Sequence, residues 1–228
     1  MVHAAAELLY IDIGCGEKKQ PGAIGVDWIA GPGVDRVCDL NFSPLPFADG
    51  SVGRSFSSHC IEHLNDPVKL LTEISRVSAH GARVELWHPY SNHHDAFLFD
   101  HRAFLNEQNY LHIASLAPAF WAQKLGAWWR IEELVFAIPG AVLDELTDAE
   151  IDPDFAVKYL SNVVCELGVV ATIDKQYPPP QAAPELAPRR VYAVSRKPED
   201  RRPLVRPATR KHAPESFGQR LRDALGRR

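Results

Sequence analysis

No apolar run in this 228-residue chain approaches the roughly 20 residues that a membrane-spanning helix needs, so no membrane association is expected. The N-terminal stretch MVHAAAELLYIDIG lacks the cationic head, apolar core and cleavage site of a signal peptide, and a cytoplasmic location is expected from that. Cysteine is scarce: Cys15, Cys38, Cys60 and Cys165 are widely spaced with no CxxC pair. That spacing supports neither a disulfide framework nor a structural zinc site and leaves four reduced thiols. No internal repeat is present. Positive charge is short everywhere except at the end: residues 1–196 carry a net charge of −10, while Lys197 to Arg228 carry +6. Nucleic-acid binding relies on neutralising phosphates, so the acidic body is a poor surface for it and no nucleic-acid partner is expected. The basic end reads as a solvated extension.

What is present is the composition of a folded protein, 46% hydrophobic and 24% charged, at a length that suits one domain. Short apolar segments recur early, as LLYIDI, AIGVD, VDRVC, VGRSFSS and RVELWH. Interleaved with polar and helical stretches, they predict an α/β fold with a mostly parallel sheet and helices on both faces. The clearest helix follows the fourth segment. Asp66 caps it, Pro67 suits its first turn, Leu70, Leu71, Ile74 and Val77 form its apolar stripe, and Gly81 ends it. A second helix is expected from Pro153 to Leu167, with Asp152 as cap and Gly168 as stop, and two late strands at RIEELVFAI and RVYAVS.

Two segments depart from this pattern. Residues 89–130 hold nine of the 21 aromatics and four of the ten histidines, a density that points to a cap packed over a cleft. Residues 178–214 hold nine of the 18 prolines and read as extended connectors. The expected organisation is a domain over 1–196, with insertions at about 89–130 and 139–189, followed by a basic Pro-rich tail over 197–228. The final SFGQRLRDALGRR spaces Phe217, Leu221 and Leu225 four apart, as in a short amphipathic helix.

The first strand ends in Asp12-Ile13-Gly14-Cys15-Gly16, a turn where backbone N–H groups can approach a ligand. Asp27 ends the second apolar run, where a carboxylate can accept both hydroxyls of a ribose. A dinucleotide site would place glycine at position 19, which is lysine, so NAD is disfavoured. Taken together, IDIGCG, IGVDW, CDLNFSPLPFADGSV, SSHCIEHL and ISRVSAHGARVELWHP resemble the class I S-adenosylmethionine-dependent methyltransferases, closest to the small bacterial type 11-like family. The likeness covers roughly residues 8–90. It implies a Rossmann-like, seven-stranded sheet whose last strand is antiparallel, with S-adenosyl-L-methionine as cofactor and S-adenosyl-L-homocysteine as product. It further implies a cofactor-binding set of Asp12, Gly14, Cys15, Gly16, Asp27, Trp28, Asp39, Leu40, Ser58 and His59. In that set the glycines pass under the methionine part, Asp27 holds the ribose, Asp39 and Leu40 meet the adenine, and Ser58 and His59 face the methionine tail and the acceptor. Glu62 and His63 match a pair that supports the loop.

The chain departs from the family in two ways. Lys18 stands where a third glycine is usual, and only ten residues separate Gly16 from Asp27, so the first crossover helix is short or absent. Methyl transfer to an alcohol needs a base, and histidine serves near neutral pH. After the fifth strand come His88, His93, His94 and Asp95, then Asp100 and His101. His93 or His94 is expected as general base, with His59 positioning the acceptor. Irregular donor spacing over 93–101 predicts no metal requirement. The expected function is O-methylation of a small-molecule acceptor. C- or N-methylation, and a non-catalytic cofactor-binding or assembly protein, are the alternatives. The oligomeric state is left open, a homodimer among the options.

Overall fold

A computed structural model of the chain describes residues 7–176 and 188–195. Eight strands form one sheet: β1 (Leu9–Ile13), β2 (Ile24–Asp27), β3 (Arg36–Val37), β4 (Val52–Ser58), β5 (Ser78–Pro89), β6 (Trp128–Ile138), β7 (Glu166–Asp174) and β8 (Arg189–Val194), in the order β3-β2-β1-β4-β5-β7-β6-β8. The first five run parallel. β7 lies antiparallel between β5 and β6, and β8 adds to the far edge parallel to β6. The expected class therefore holds with eight strands in place of seven, and the antiparallel strand is the last but one.

The helices are α1 (Pro67–Val77), α2 (Glu107–Leu111), α3 (Pro118–Leu125), α4 (Gly140–Asp148) and α5 (Pro153–Tyr159), with a π turn at His112–Leu116 between α2 and α3. α1 begins as expected: the Asp66 carboxylate accepts from the Val68 and Lys69 amides, satisfying free N–H groups of the first turn. It stops at Ser78, before Gly81, because the chain passes straight into β5. Gly81, at φ +80°, lies in the irregular stretch where β5 shifts register against β4. α5 also ends early. Asp152 caps it by accepting from Phe155 N, but the backbone turns at Asn162 (φ +58°), and the stretch read as helix through Leu167 becomes the approach to β7 and its first two residues.

Helices were expected on both faces, but each of the five places buried apolar residues, Leu70, Tyr110, Leu125, Leu146 and Ala156 among them, in one cluster with Ile11, Ile13, Val84, Leu86, Leu134 and Phe136. The other face carries Phe56, Trp87, Val135, Ala137 and Cys165, with no helical residue among those described. The cause is the short β1–β2 link, which holds no helix. The aromatic segment 89–130 contributes to both the helical layer and the sheet. Tyr110, Ile113 and Leu125 are buried in the helical layer, and Trp128 and Trp129 belong to β6, where the Trp129 indole donates to Ser75 at 2.8 Å. No described helix is long and apolar enough to cross a membrane. The tail over 197–228, with its proposed terminal helix, and most of the proline-rich connector lie outside the described residues.

Candidate active site

At the carboxyl ends of β1 and β4 the chain leaves a cleft of about 340 Å³, lined by Asp12, Gly14, Cys15, Lys18, Gln20, Phe56, Ser58, His59 and Glu166. Ligands in open α/β sheets bind at this edge. Gly14 and Gly16 turn the chain after β1 with φ of +70° and +55°, which side chains with a Cβ rarely adopt. Gly14 is doubly required, because a Cβ there would lie 2.5 Å from Cys60 Cβ and 2.6 Å from its Sγ.

Asp27 fastens this turn. One carboxylate oxygen accepts the Gly16 amide at 2.8 Å and the other accepts the Trp28 amide at 2.8 Å. The first of these amides leaves its oxygen, Oδ2, with further acceptor capacity for a hydroxyl, while Oδ1 also takes the Ile29 amide in a long contact of 3.4 Å. Asp12 is buried and accepts the Gln20 amide at 2.7 Å. Burial raises its carboxyl above the usual range, against the pull of that amide. The Cys15 thiol is pushed up to about 11, chiefly by burial, and stays protonated. Asp39 accepts the Asn41 amide at 2.9 Å in the loop after β3, and Cys38 N–H bonds the Asp27 carbonyl, so Asp39 and Leu40 stand at the same sheet edge outside the cleft lining. Trp28 is exposed.

On the opposite wall His59, at φ +54°, sits between two buried carboxylates. Its Nε2 is 2.5 Å from Glu166 Oε1, and its Nδ1 is 3.2 Å from Glu62 Oε1. Burial alone would lower the imidazole, but hydrogen bonds and attraction from Glu166 and Glu62 carry it up to about 9. Behind this group His88 is fully buried and held neutral by desolvation. Its Nδ1 is 2.8 Å from the Pro89 carbonyl, and its ring stacks on Tyr110.

The structure thus brings Asp12, Gly14, Cys15, Ser58 and His59 together and ties Gly16 to Asp27. It does not bring His93 or His94 to the cleft. The His94 amide donates to Asn162 Oδ1 at 2.8 Å, and His93 Nδ1 accepts the Asp95 amide at 3.2 Å, so this turn holds the loop against residues 160–162. Sequence reading missed Lys18, Gln20, Phe56 and Glu166 as cleft residues. Glu166 was hidden because its segment was read as helix. Lys18 had a signal, as the residue displacing a glycine.

Residues 21–85 match the model of the methyltransferase domain family. No curated protein matches the chain by sequence. Among solved structures, a SAM-dependent methyltransferase from Archaeoglobus fulgidus superposes with a TM-score of 0.52 at 14% identity, covering 73% of this chain and 86% of that one, and shows the fold. Geranyl diphosphate C-methyltransferase from Streptomyces coelicolor (TM-score 0.46, 15% identity, 76% and 74% covered) is also similar. So is a chain from the complex of the Trm112 methyltransferase activator and a putative methyltransferase of Haloferax volcanii (0.45, 16%, 73% and 82%).

Proposed function

We propose that the chain is a class I, S-adenosylmethionine-dependent methyltransferase and that it methylates an oxygen of a small-molecule acceptor at the His59–Glu166 end of the cleft. The donor set fits the cofactor: a glycine turn with no side chain in the way, Asp27 with acceptor capacity for a ribose, and Lys18 to meet a carboxylate. When bound, the cofactor supplies an electrophilic sulfonium methyl, and the chain's task is alignment and proton handling.

The observation that carries the reading is that a hydrogen-bonded imidazole–carboxylate pair, His59 with Glu166, lines the same cleft as the Asp12–Gly16 turn. An alcohol or phenol must lose its proton as it becomes a nucleophile; with His59 raised to about 9 and so protonated near neutral pH, the imidazolium can orient the hydroxyl and the Glu166 carboxylate can accept the proton. His93 and His94 are replaced in this role because neither lines the cleft. The acidic body, at −10 over residues 1–196, favours a small acceptor over a nucleic acid.

The test supplies the full chain with methyl-labelled S-adenosylmethionine and, separately, the low-mass, RNA and protein fractions of a cell extract. Label is expected in low-mass compounds. Glu166→Gln lowers turnover by about 10² to 10⁴ while S-adenosylhomocysteine affinity stays nearly the same. Label confined to RNA or protein, or wild-type turnover in Glu166→Gln, would overturn the assignment.

A further inference from the structure

The turn after β4 and the loop after β5 meet beside the cleft and are fastened to each other. The Arg102 and Ala103 amides both donate to the Glu62 carbonyl, at 2.7 and 3.1 Å, and the Arg102 guanidinium donates to Asn65 at 2.6 Å. This junction gathers the side chains of Glu62, His63 and His101, with one potential ligand atom of each within 4.8 Å of the others. The two imidazole rings meet edge to face, 4.8 Å between centroids.

The hydrogen bonds around these rings fix their protons. His63 Nδ1 is 3.3 Å from both the carbonyl oxygen and the Oδ2 of Asp100, and His101 Nδ1 is 3.2 Å from the Ala96 carbonyl. Those oxygens accept and do not donate, so each ring directs a hydrogen from Nδ1 to them, which leaves Nε2 as the nitrogen through which the ring can bind a metal ion. Metal-ligating histidines are held in this way, with the far N–H given to a carboxylate or a backbone carbonyl.

Glu62 supplies a second, independent sign. It is 2% exposed; its Oε1 lies 3.2 Å from His59 Nδ1, the pairing that helps to raise His59, and its Oε2 has no hydrogen-bond partner among the described residues. A buried carboxylate oxygen that lacks a hydrogen bond is unfavourable, and a bound cation removes that penalty. The rival group His93, His94 and Asp95 lacks both signs. Its members are consecutive in one turn, His93 Nδ1 already accepts the Asp95 amide, and His94 is exposed.

We propose that Glu62, His63 and His101 bind one divalent first-row transition-metal ion, with Asp100 orienting His63, and that its open positions take an oxygen of the acceptor. Two imidazoles and a carboxylate suit zinc, cobalt, manganese or ferrous iron, and three protein ligands leave coordination sites free. Glu62 is the link to the chemistry, since its other neighbour, His59, lines the cleft. The acceptor's role rests on the methyltransferase reading, whereas the ion site stands on its own residues. The expectation of no metal came from donor spacing over 93–101, but this set pairs Glu62 and His63 with a histidine far along the chain.

The test is cobalt(II) chloride titrated into chelator-treated full-length protein, followed by visible d–d absorption, with S-adenosylhomocysteine affinity measured on the same samples. Wild type is expected to take up one equivalent. His63→Gln and His101→Gln each weaken uptake by about 100-fold or more, Asp100→Asn weakens it by about 10- to 100-fold, and His94→Gln leaves it unchanged. No saturable band in wild type overturns the proposal without any variant, even if a histidine substitution fails to fold. So does uptake lost in His94→Gln but retained in folded His101→Gln. Cobalt uptake without S-adenosylhomocysteine binding would leave the site standing and defeat the methyltransferase reading alone.

Discussion

Gly14 and Gly16 both adopt left-handed backbone, yet their surroundings differ. A Cβ on Gly14 would collide with Cys60, whereas one on Gly16 would meet nothing within 4 Å. Gly14→Ala therefore combines backbone strain with a clash and is expected to cost about 1 to 3 kcal/mol or more. In a domain of this size that lowers Tm by about 2 to 4 °C per kcal/mol. Gly16→Ala carries only the strain and is expected to lower Tm by less. Paired thermal melts check this, and a Gly14→Ala protein as stable as wild type would contradict the packing described. At this scale the sequence was informative where chemistry follows the local chain. The IDIGCG turn and Asp27 were legible because a glycine pair after a strand, and an acid at a strand end, carry their meaning in adjacent residues. Glu166 and the Glu62–His63–His101 group were not, because their partners arrive from distant segments.

Among the elements, β7 was the one misread. Ala156, Tyr159, Leu160, Val163 and Val164 fall at helical spacing, but Tyr159 and Leu160 are exposed, and the β-branched run from Val169 settles the segment as a strand. Gly168, read as a helix stop, lies opposite Trp87 in the sheet, where a Cβ would sit 2.6 Å from the indole ring. That role depends on strand pairing and has no signature in the local sequence. α1, by contrast, was legible from its cap and stripe, and it also anchors the loop before β4. Arg76 donates to the Leu45 and Phe47 carbonyls and pairs with Asp49 and Glu73, while Glu73 accepts the Leu45 amide. The Arg76 guanidinium holds the Glu73 carboxyl below its usual range, against the effect of burial. A carboxyl whose folded value is depressed stabilises the fold above its unfolded value, and that contribution is lost as pH falls through the folded value. Wild type is thus expected to lose Tm between about pH 6 and about pH 3, and Glu73→Gln to lose less over that range from a lower start. Parallel melts of the two proteins decide; equal acid slopes would remove Glu73 from the account.

At the scale of the whole molecule, the α/β class and the mostly parallel sheet followed from the alternation of short apolar runs, the antiparallel strand came only from the family resemblance, and the missing first crossover helix followed from the ten residues between Gly16 and Asp27. The second face, bare of described helices, was legible in part from that short link, whereas the packing of the segment from 89 to 127 into the helical layer was not, because it depends on contacts between distant segments. The sheet nevertheless puts the Asp12–Gly16 turn, Asp27 and the His59–Glu166 pair along one edge, and the account depends on that edge holding S-adenosylmethionine. Isothermal titration of S-adenosylhomocysteine into the full chain and into Asp27→Ala tests this most directly. The predicted result is saturable binding near one equivalent per chain, weakened about 10- to 100-fold in Asp27→Ala by the loss of about 1.5 to 3 kcal/mol of charged hydrogen bonding. No saturable binding by the wild-type chain would contradict the central claim, and equal affinity in the two proteins would contradict the ribose role of Asp27.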